Sequence, residues 1–154
     1  MADLKDVSFV MPVLNEQDYL AIAVESVLSQ KTPGKAQLVL ALGPSRDKTN
    51  QIAESLAKKY KNLILVENPT GSTATGLNLA IEKSSYETVI RVDAHSELSD
   101  NYAASAVKIL NTTGAANVGG MMIAKGRTAL QKAVAFGYNS RFGLGGGSFH
   151  VGGN

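Results

Sequence analysis

Asp93 and His95 have side chains and a spacing suited to binding a divalent cation. They lie in the segment 91–97, RVDAHSE, at the end of an apolar run that has the pattern of a buried strand. A carboxylate is the hard oxygen ligand that Mg²⁺ and Mn²⁺ prefer, and an imidazole suits Mn²⁺ better than Mg²⁺. Such a cation could stabilise a diphosphate as it leaves. The competing interpretation is that Asp93 caps the next segment and His95 is a solvated loop residue.

A second candidate is the segment 12–16, PVLNE, which follows the first apolar run. Its backbone groups could hydrogen-bond a nucleoside base, and Glu16 could accept hydrogen bonds from ribose hydroxyls. The alternative is purely structural, with Pro12 ending a strand, Asn15 capping the next helix and Glu16 favourable in its first turn. Taken alone, the segment favours this capping interpretation.

Two further segments are rich in turn residues. Residues 68–73, NPTGST, form a plausible anion cradle at the start of a helix, and Asn78 lies on that helix, where an asparagine is usually structural or solvent-facing. Residues 143–154, half of them glycine and including His150, suit an acceptor or phosphate loop, or a flexible connection. The chain has no Walker A loop, no G-x-G-x-x-G after the first strand and no G-x-S-x-G, which disfavours P-loop enzymes, dehydrogenases and serine hydrolases.

Alternating strands and helices must position these residues. Five apolar runs start roughly 25 to 30 residues apart, the length of one strand-plus-helix unit. The predicted strands are Val7–Val13, Gln37–Leu42, Leu63–Val66, Thr88–Val92 and Ala116–Ile123. This alternation predicts an α/β fold with a mostly parallel sheet and helices on both faces. The ligand is then expected beyond the carboxyl ends of the strands, where the strand order reverses.

Apolar residues at helical spacing predict four helices between the strands. Asn15 is the predicted N-cap of the first helix, and Gly114 is expected to stop the fourth. The predicted buried stripes are Leu20, Ala23, Val24, Val27 and Leu28; Ile52, Ala53, Leu56 and Tyr60; Ala74, Leu77 and Ile81; and Tyr102, Ala106, Val107 and Leu110.

Composition excludes several classes of protein. The 154 residues, 44% hydrophobic and 18% charged, suit one soluble globular domain. A net charge of +2 without a basic stripe gives no support for nucleic-acid binding. The absence of cysteine excludes a disulfide scaffold and a thiolate zinc site. No apolar stretch approaches the roughly 18 residues of a membrane span.

Taken in order, the segments resemble family 2 glycosyltransferases. Residues 7–16 and 23–30 resemble the opening of that family, while Leu77-Asn78 and Asp93-Ala94-His95 fall where it has an A-L-N helix and a D-x-D metal motif. Residues 68–71, 91–95 and 114–120 further resemble the succinoglycan-biosynthesis type of exopolysaccharide glucosyltransferase.

The resemblance implies a GT-A, Rossmann-like fold and a nucleoside-diphosphate sugar donor, commonly a UDP-sugar. It also implies Mn²⁺ or Mg²⁺, inversion at the anomeric carbon, and a carboxylate that deprotonates the acceptor, a polysaccharide or lipid-linked sugar. The expected location is the cytoplasm, with the full-length protein at the inner face of the membrane. The residues expected to bind the nucleotide are Pro12, Val13, Asn15, Glu16, Ser72, Asn78 and Asp93, with Asp93 and His95 as metal ligands.

The chain departs from the family pattern at three places. Residues 41–47, ALGPSRD, replace the acidic D-D-G-S that the family often has after its second strand. His95 stands for the second aspartate of D-x-D, and Ser72 lies in a loop where relatives often have Lys or Arg near the diphosphate. These departures leave open which nucleotide binds and with what affinity.

The expected organisation is a nucleotide-sugar-binding half domain at 1–142 and a glycine-rich segment at 143–154 that leads to an acceptor-binding and catalytic half. The catalytic base is expected beyond Asn154, so the fragment alone should transfer no sugar and could self-associate. Two rival functions stay open at this point. A sugar-nucleotide pyrophosphorylase would need a glycine-rich loop with Arg and Lys after the first strand, unlike residues 12–16. The other rival is a non-enzymatic nucleotide-binding domain.

Overall fold

The chain forms two compact units, Met1–Ala116 and Asn117–Asn154, and the computed structural model describes residues 5–140. The first unit contains β1 (Val7–Val13), α1 (Leu20–Leu28), β2 (Ala36–Leu42), α2 (Thr49–Lys59), β3 (Leu63–Glu67), α3 (Thr73–Glu82), β4 (Thr88–Arg91) and α4 (Tyr102–Thr113). The second unit contains α5 (Ala129–Tyr138). The four strands of the first unit match their predicted bounds to within one residue at each end. The glycine-rich segment 143–154, with His150, lies outside the described residues.

All four strands are parallel and lie in the order β3-β2-β1-β4. The chain moves outward from β1 to β3 and then returns to place β4 on the other side of β1. The strand order therefore reverses between β1 and β4. This arrangement confirms the predicted α/β fold and gives the sheet a crevice at the carboxyl ends of those two strands.

Both faces of the central strands β1 and β2 are buried, as their nearly unbroken apolar runs require. One face carries Phe9 and Met11, which belong to a core that includes buried residues of α1, α2 and α4. The other face carries Val10 and Val39, which pack with Ala80 of α3. Because alternate strand residues point to opposite faces, one strand supplies both layers of the core.

Helix α3 buries a different face from the predicted one. Gly76 and Ala80 are its buried residues, whereas Ala74 and Ile81, predicted to be buried, are exposed. A Cβ atom on Gly76 would lie 2.8 Å from Asn68 Nδ2. The helix thus approaches the sheet through its small residues, which an apolar stripe does not reveal.

Asn15 is not the N-cap of α1, because the helix begins only at Leu20. Instead Asn15 adopts a left-handed conformation (φ 56°), and its Oδ1 accepts a hydrogen bond from the backbone N–H of Arg46 at 2.8 Å. Pro12 lies within β1 rather than ending it. The pairing of β1 with β4 stops at Val10, so the missing N–H of Pro12 interrupts no ladder on that side.

The predicted fifth strand, Ala116–Ile123, is wrong, since these residues have no regular secondary structure. Met121 and Ile123 are 56% and 63% exposed. An extended apolar run becomes a strand only when a neighbour satisfies its backbone groups, and no described strand pairs with this one. Within residues 5–140, no helix has the length and apolar character that crossing a membrane requires.

Candidate functional site

A cavity of about 330 Å³ lies where β1, β3 and β4 end. Three loops that the sequence singled out contribute to it, because the carboxyl ends of parallel strands share one edge of the sheet. Its lining residues are Pro12, Val13, Leu14, Glu16, Asn68, Gly71, Thr73, Arg91, Asp93, Ala94 and His95.

Hydrogen bonds to the loop after β2 hold the loop after β1 in place. The backbone N–H of Asn15 donates to Ser45 Oγ at 3.0 Å, and that of Glu16 donates to Thr49 Oγ1 at 2.7 Å. The left-handed backbone of Asn15 also allows its side-chain oxygen to accept a hydrogen bond from the backbone N–H of Arg46. These bonds fix the backbone from which the Glu16 side chain enters the cavity.

Asp47, the acidic residue after β2, has a structural role in this loop. Its Oδ1 accepts the backbone N–H of Thr49 at 3.0 Å and also the Thr49 hydroxyl. The hydroxyl hydrogen bond is the main cause of a lowered pKa for the Asp47 carboxyl. Asp47 is not among the described residues that line the cavity.

Arg91 and Asp93 form an ion pair at the end of β4. The Nε and Nη2 atoms of Arg91 both donate to Asp93 Oδ1, at 3.1 and 3.0 Å. Both side chains are solvent-accessible, 56% for Arg91 and 41% for Asp93. The guanidinium therefore holds one oxygen of the carboxylate predicted to bind metal.

Glu16 and His95 meet across the cavity. His95 Nδ1 lies 2.9 Å from Glu16 Oε1. An ionised carboxylate can only accept a hydrogen bond, so the contact assigns the proton to Nδ1, which donates the hydrogen bond to Glu16. A neutral imidazole in this tautomer keeps its lone pair on Nε2, the atom that can bind a metal.

The donor set of Asp93 and His95 fits a divalent cation bound together with a diphosphate. No group of three metal-ligating side chains occurs within residues 5–140. Mg²⁺-type sites commonly use one or two protein ligands, with substrate phosphates and water completing the shell. The carboxylate behind the histidine is also the usual support for an imidazole ligand. The metal site itself stays a prediction.

Three residues predicted to bind nucleotide do not line the cavity. Asn15 ties two loops together, as described above. Ser72 is exposed at the start of α3, where its carbonyl accepts a hydrogen bond from Asn68 Nδ2 at 3.0 Å. Asn78 is exposed on α3. Their roles in nucleotide binding stay predictions.

The sequence predicts no individual role for several other lining residues. Asn68 is a buried polar residue directly after β3, and that position was its one sequence signal. Gly71 has φ 65° and, like Thr73 at the start of α3, belongs to the predicted anion cradle at 68–73. Arg91 belongs to the RVDAHSE segment, and its signal was a charge at the last position of a buried strand.

Comparison with known proteins decides the family. The family model "Glycosyl transferase family 2" matches residues 8–143. The chain belongs to glycosyl transferase family 2. The resemblance noted in the sequence is thereby confirmed.

Curated relatives of this family 2 chain include succinoglycan biosynthesis protein ExoA of Rhizobium meliloti (strain 1021). The identity is 33% over 145 residues, which are 93% of this chain and 44% of the relative. Glycosyltransferase AglE of Haloferax volcanii is 29% identical over 116 residues, 74% of this chain and 38% of the relative. The family 2 chain thus spans less than half the length of these relatives.

Solved structures similar to the family 2 chain include TarS of S. aureus, residues 1–349, in complex with UDP. That match has a TM-score of 0.63 at 20% identity and covers 77% of this chain and 39% of that one. The complex with UDP-GlcNAc matches with a TM-score of 0.61, also at 20% identity, and covers 77% and 38%. The likeness confirms the predicted glycosyltransferase fold.

Proposed function

We propose that this chain is the donor-binding part of an inverting glycosyltransferase that builds a polysaccharide from a UDP-sugar. The observation that carries the proposal is the cavity at the strand-order reversal, where Glu16, Asp93 and His95 converge. Two similarities support it. The relative ExoA is named for succinoglycan biosynthesis, and the TarS structures of similar fold contain UDP and UDP-GlcNAc.

The loop after β1 is the proposed site of the nucleoside. Pro12 and Val13 line the cavity, and their backbone is the proposed contact for a base. Oε1 of Glu16 contacts His95. The other carboxylate oxygen, Oε2, is therefore the one proposed to accept a hydrogen bond from a ribose hydroxyl. Asn15 supports this loop through its contact with Arg46.

Asp93 and His95 are the proposed ligands of Mn²⁺ or Mg²⁺ at the diphosphate. When bound, the cation would offset the charge that develops on the departing diphosphate. Asp93 supplies a carboxylate oxygen, and His95 supplies Nε2 because Glu16 occupies its other ring nitrogen. In the described structure, the ion pair with Arg91 orients Asp93 at the cavity.

The base that deprotonates the acceptor is proposed to lie outside this chain. Among the described residues that line the cavity, the two carboxylates are engaged, Glu16 with His95 and Asp93 with Arg91. The proposed acceptor is a polysaccharide or lipid-linked sugar on the cytoplasmic side of a membrane. This chain covers 44% of ExoA and 38% of AglE, so more than half of each relative lies outside the matched part.

Calorimetric titration with UDP tests the donor site. UDP should bind in the presence of Mn²⁺, and both a chelator and Asp93→Asn should abolish that binding. Glu87→Gln is the matched control, because Glu87 is exposed directly before β4, at the opposite end of that strand from the cavity. Equal affinity in Asp93→Asn and wild type, or binding indifferent to the chelator, would contradict the proposal.

A further inference from the structure

Arg91 is the one permanently charged cation among the described residues that line the cavity. The other charged or titratable side chains there are the carboxylates of Glu16 and Asp93 and the imidazole of His95. The loop 68–73 adds backbone and neutral polar groups but no Lys or Arg. A diphosphate in this cavity would therefore meet two carboxylates and a single guanidinium.

In the described structure that guanidinium is engaged with Asp93. Arg91 uses Nε and Nη2 for one carboxylate oxygen, which leaves its remaining N–H donors available. Its planar fork of donors matches phosphate oxygens as well as carboxylates. The side chain thus has the right chemistry for a diphosphate and lies at the cavity wall.

A divalent cation on Asp93 competes with this ion pair, because a cation and a guanidinium would share one carboxylate. The pair is local, joining residues two apart, and both side chains are substantially exposed. Exposed pairs of this kind are weak. A divalent cation can therefore displace Arg91 at little cost.

We propose that Arg91 exchanges partners when the donor nucleotide binds. It holds the Asp93 carboxylate in the empty cavity and turns to the diphosphate when the cation takes Asp93. This inference rests on the proposed function, since it requires a metal–diphosphate ligand. Arg91 then binds two anions in succession, first the Asp93 carboxylate and then the diphosphate. The guanidinium is thus a ligand-binding group as well as a support for Asp93.

The exchange predicts opposite effects of Arg91→Gln on two affinities. Binding of Mn²⁺ alone, followed by electron paramagnetic resonance of the free ion, should strengthen by up to about fivefold because a weak competing ion pair is lost. Binding of UDP at saturating Mn²⁺ should weaken by about tenfold or more, the usual effect of losing a charge-assisted hydrogen bond. Uridine affinity should not change, because uridine has no phosphate.

Two further variants complete the experiment. Arg91→Lys keeps a cation and should retain part of the UDP affinity. Arg127→Gln makes the same substitution at an exposed arginine that is not among the described residues lining the cavity, and it should change neither affinity. Matching thermal unfolding midpoints would show that the variants are folded.

The outcomes separate this inference from the proposed function. If Arg91→Gln weakens Mn²⁺ and UDP binding together, Arg91 only positions Asp93 and the exchange is wrong. Unchanged UDP affinity in Arg91→Gln would also overturn it, since the guanidinium would not reach the diphosphate. If wild type shows no Mn²⁺-dependent UDP binding, the proposed function fails and the exchange fails with it.

Discussion

Glu16 and His95 are 79 positions apart in the sequence, yet Oε1 of Glu16 lies 2.9 Å from Nδ1 of His95. The contact joins the loop after β1 to the loop after β4, the two strands between which the strand order reverses. It fixes the tautomer of the imidazole and directs Nε2 away from Glu16. Binding of a metal to Nε2 of His95 therefore depends on Glu16, even if Glu16 does not contact the metal.

Glu16→Ala should weaken Mn²⁺ binding by about 10- to 100-fold, the range seen when the partner of a metal-bound histidine is removed. Glu16→Gln should have a smaller effect, because the amide oxygen can still accept from Nδ1. Mn²⁺ affinity measured by electron paramagnetic resonance tests this. Glu54→Ala, at an exposed position on α2, is the control. Full Mn²⁺ affinity in Glu16→Ala would mean that the Glu16 contact does not support a ligand.

Asp47 should make stability depend on pH in the acid range. Its pKa is lowered in the folded chain, chiefly by the Thr49 hydroxyl. The stabilisation is therefore present above the unfolded pKa, about 3.9, and is lost as the pH falls through the lower folded value. The free energy of unfolding of wild type should exceed that of Asp47→Asn at pH 6. The difference should shrink below about pH 4. A constant difference down to pH 2 would contradict the assignment.

Gly76→Ala should destabilise the chain by about 1 to 3 kcal/mol, as overpacking in a tight interface does. The new Cβ would lie 2.8 Å from Asn68 Nδ2 and 3.3 Å from Pro12 Cβ. Gly137→Ala is the matched control, since a Cβ on that helical glycine meets nothing within 4 Å. Urea unfolding measures both variants. Equal stability of Gly76→Ala and wild type would show that α3 can move away from the sheet.

The strands and most of the buried helix faces could be predicted from the sequence. Strands and helices have regular geometry, so burying one face leaves a periodic pattern of apolar residues. The α3 face was misread since its contact uses Gly76 and Ala80, which carry almost no apolar signal. Asn15 was misread because a residue from another loop, Arg46, competes for its side chain. The run 116–123 has strand composition, but composition cannot supply a partner strand.

The candidate site, like the fold, could be predicted only in part from the sequence. Loops after parallel strands share an edge, so the meeting of Glu16, Asp93 and His95 could be predicted from topology. The pairing within the site could not, because it depends on side-chain directions that no spacing encodes. The sequence predicts that Glu16 binds ribose and that His95 binds a metal, and it gives no sign that the two side chains contact each other.

The interior position of β1 determines which groups of the cavity lose conformational entropy when a ligand binds. β1 is paired on both sides, and hydrogen bonds to Ser45 and Thr49 tie down the loop that follows it. That wall of the cavity is preorganised, so ordering it costs a ligand little. The entropic cost of binding instead falls on the exposed side chains of Arg91 and His95. A nucleotide bound as proposed would therefore order two exposed side chains against a wall that is already rigid.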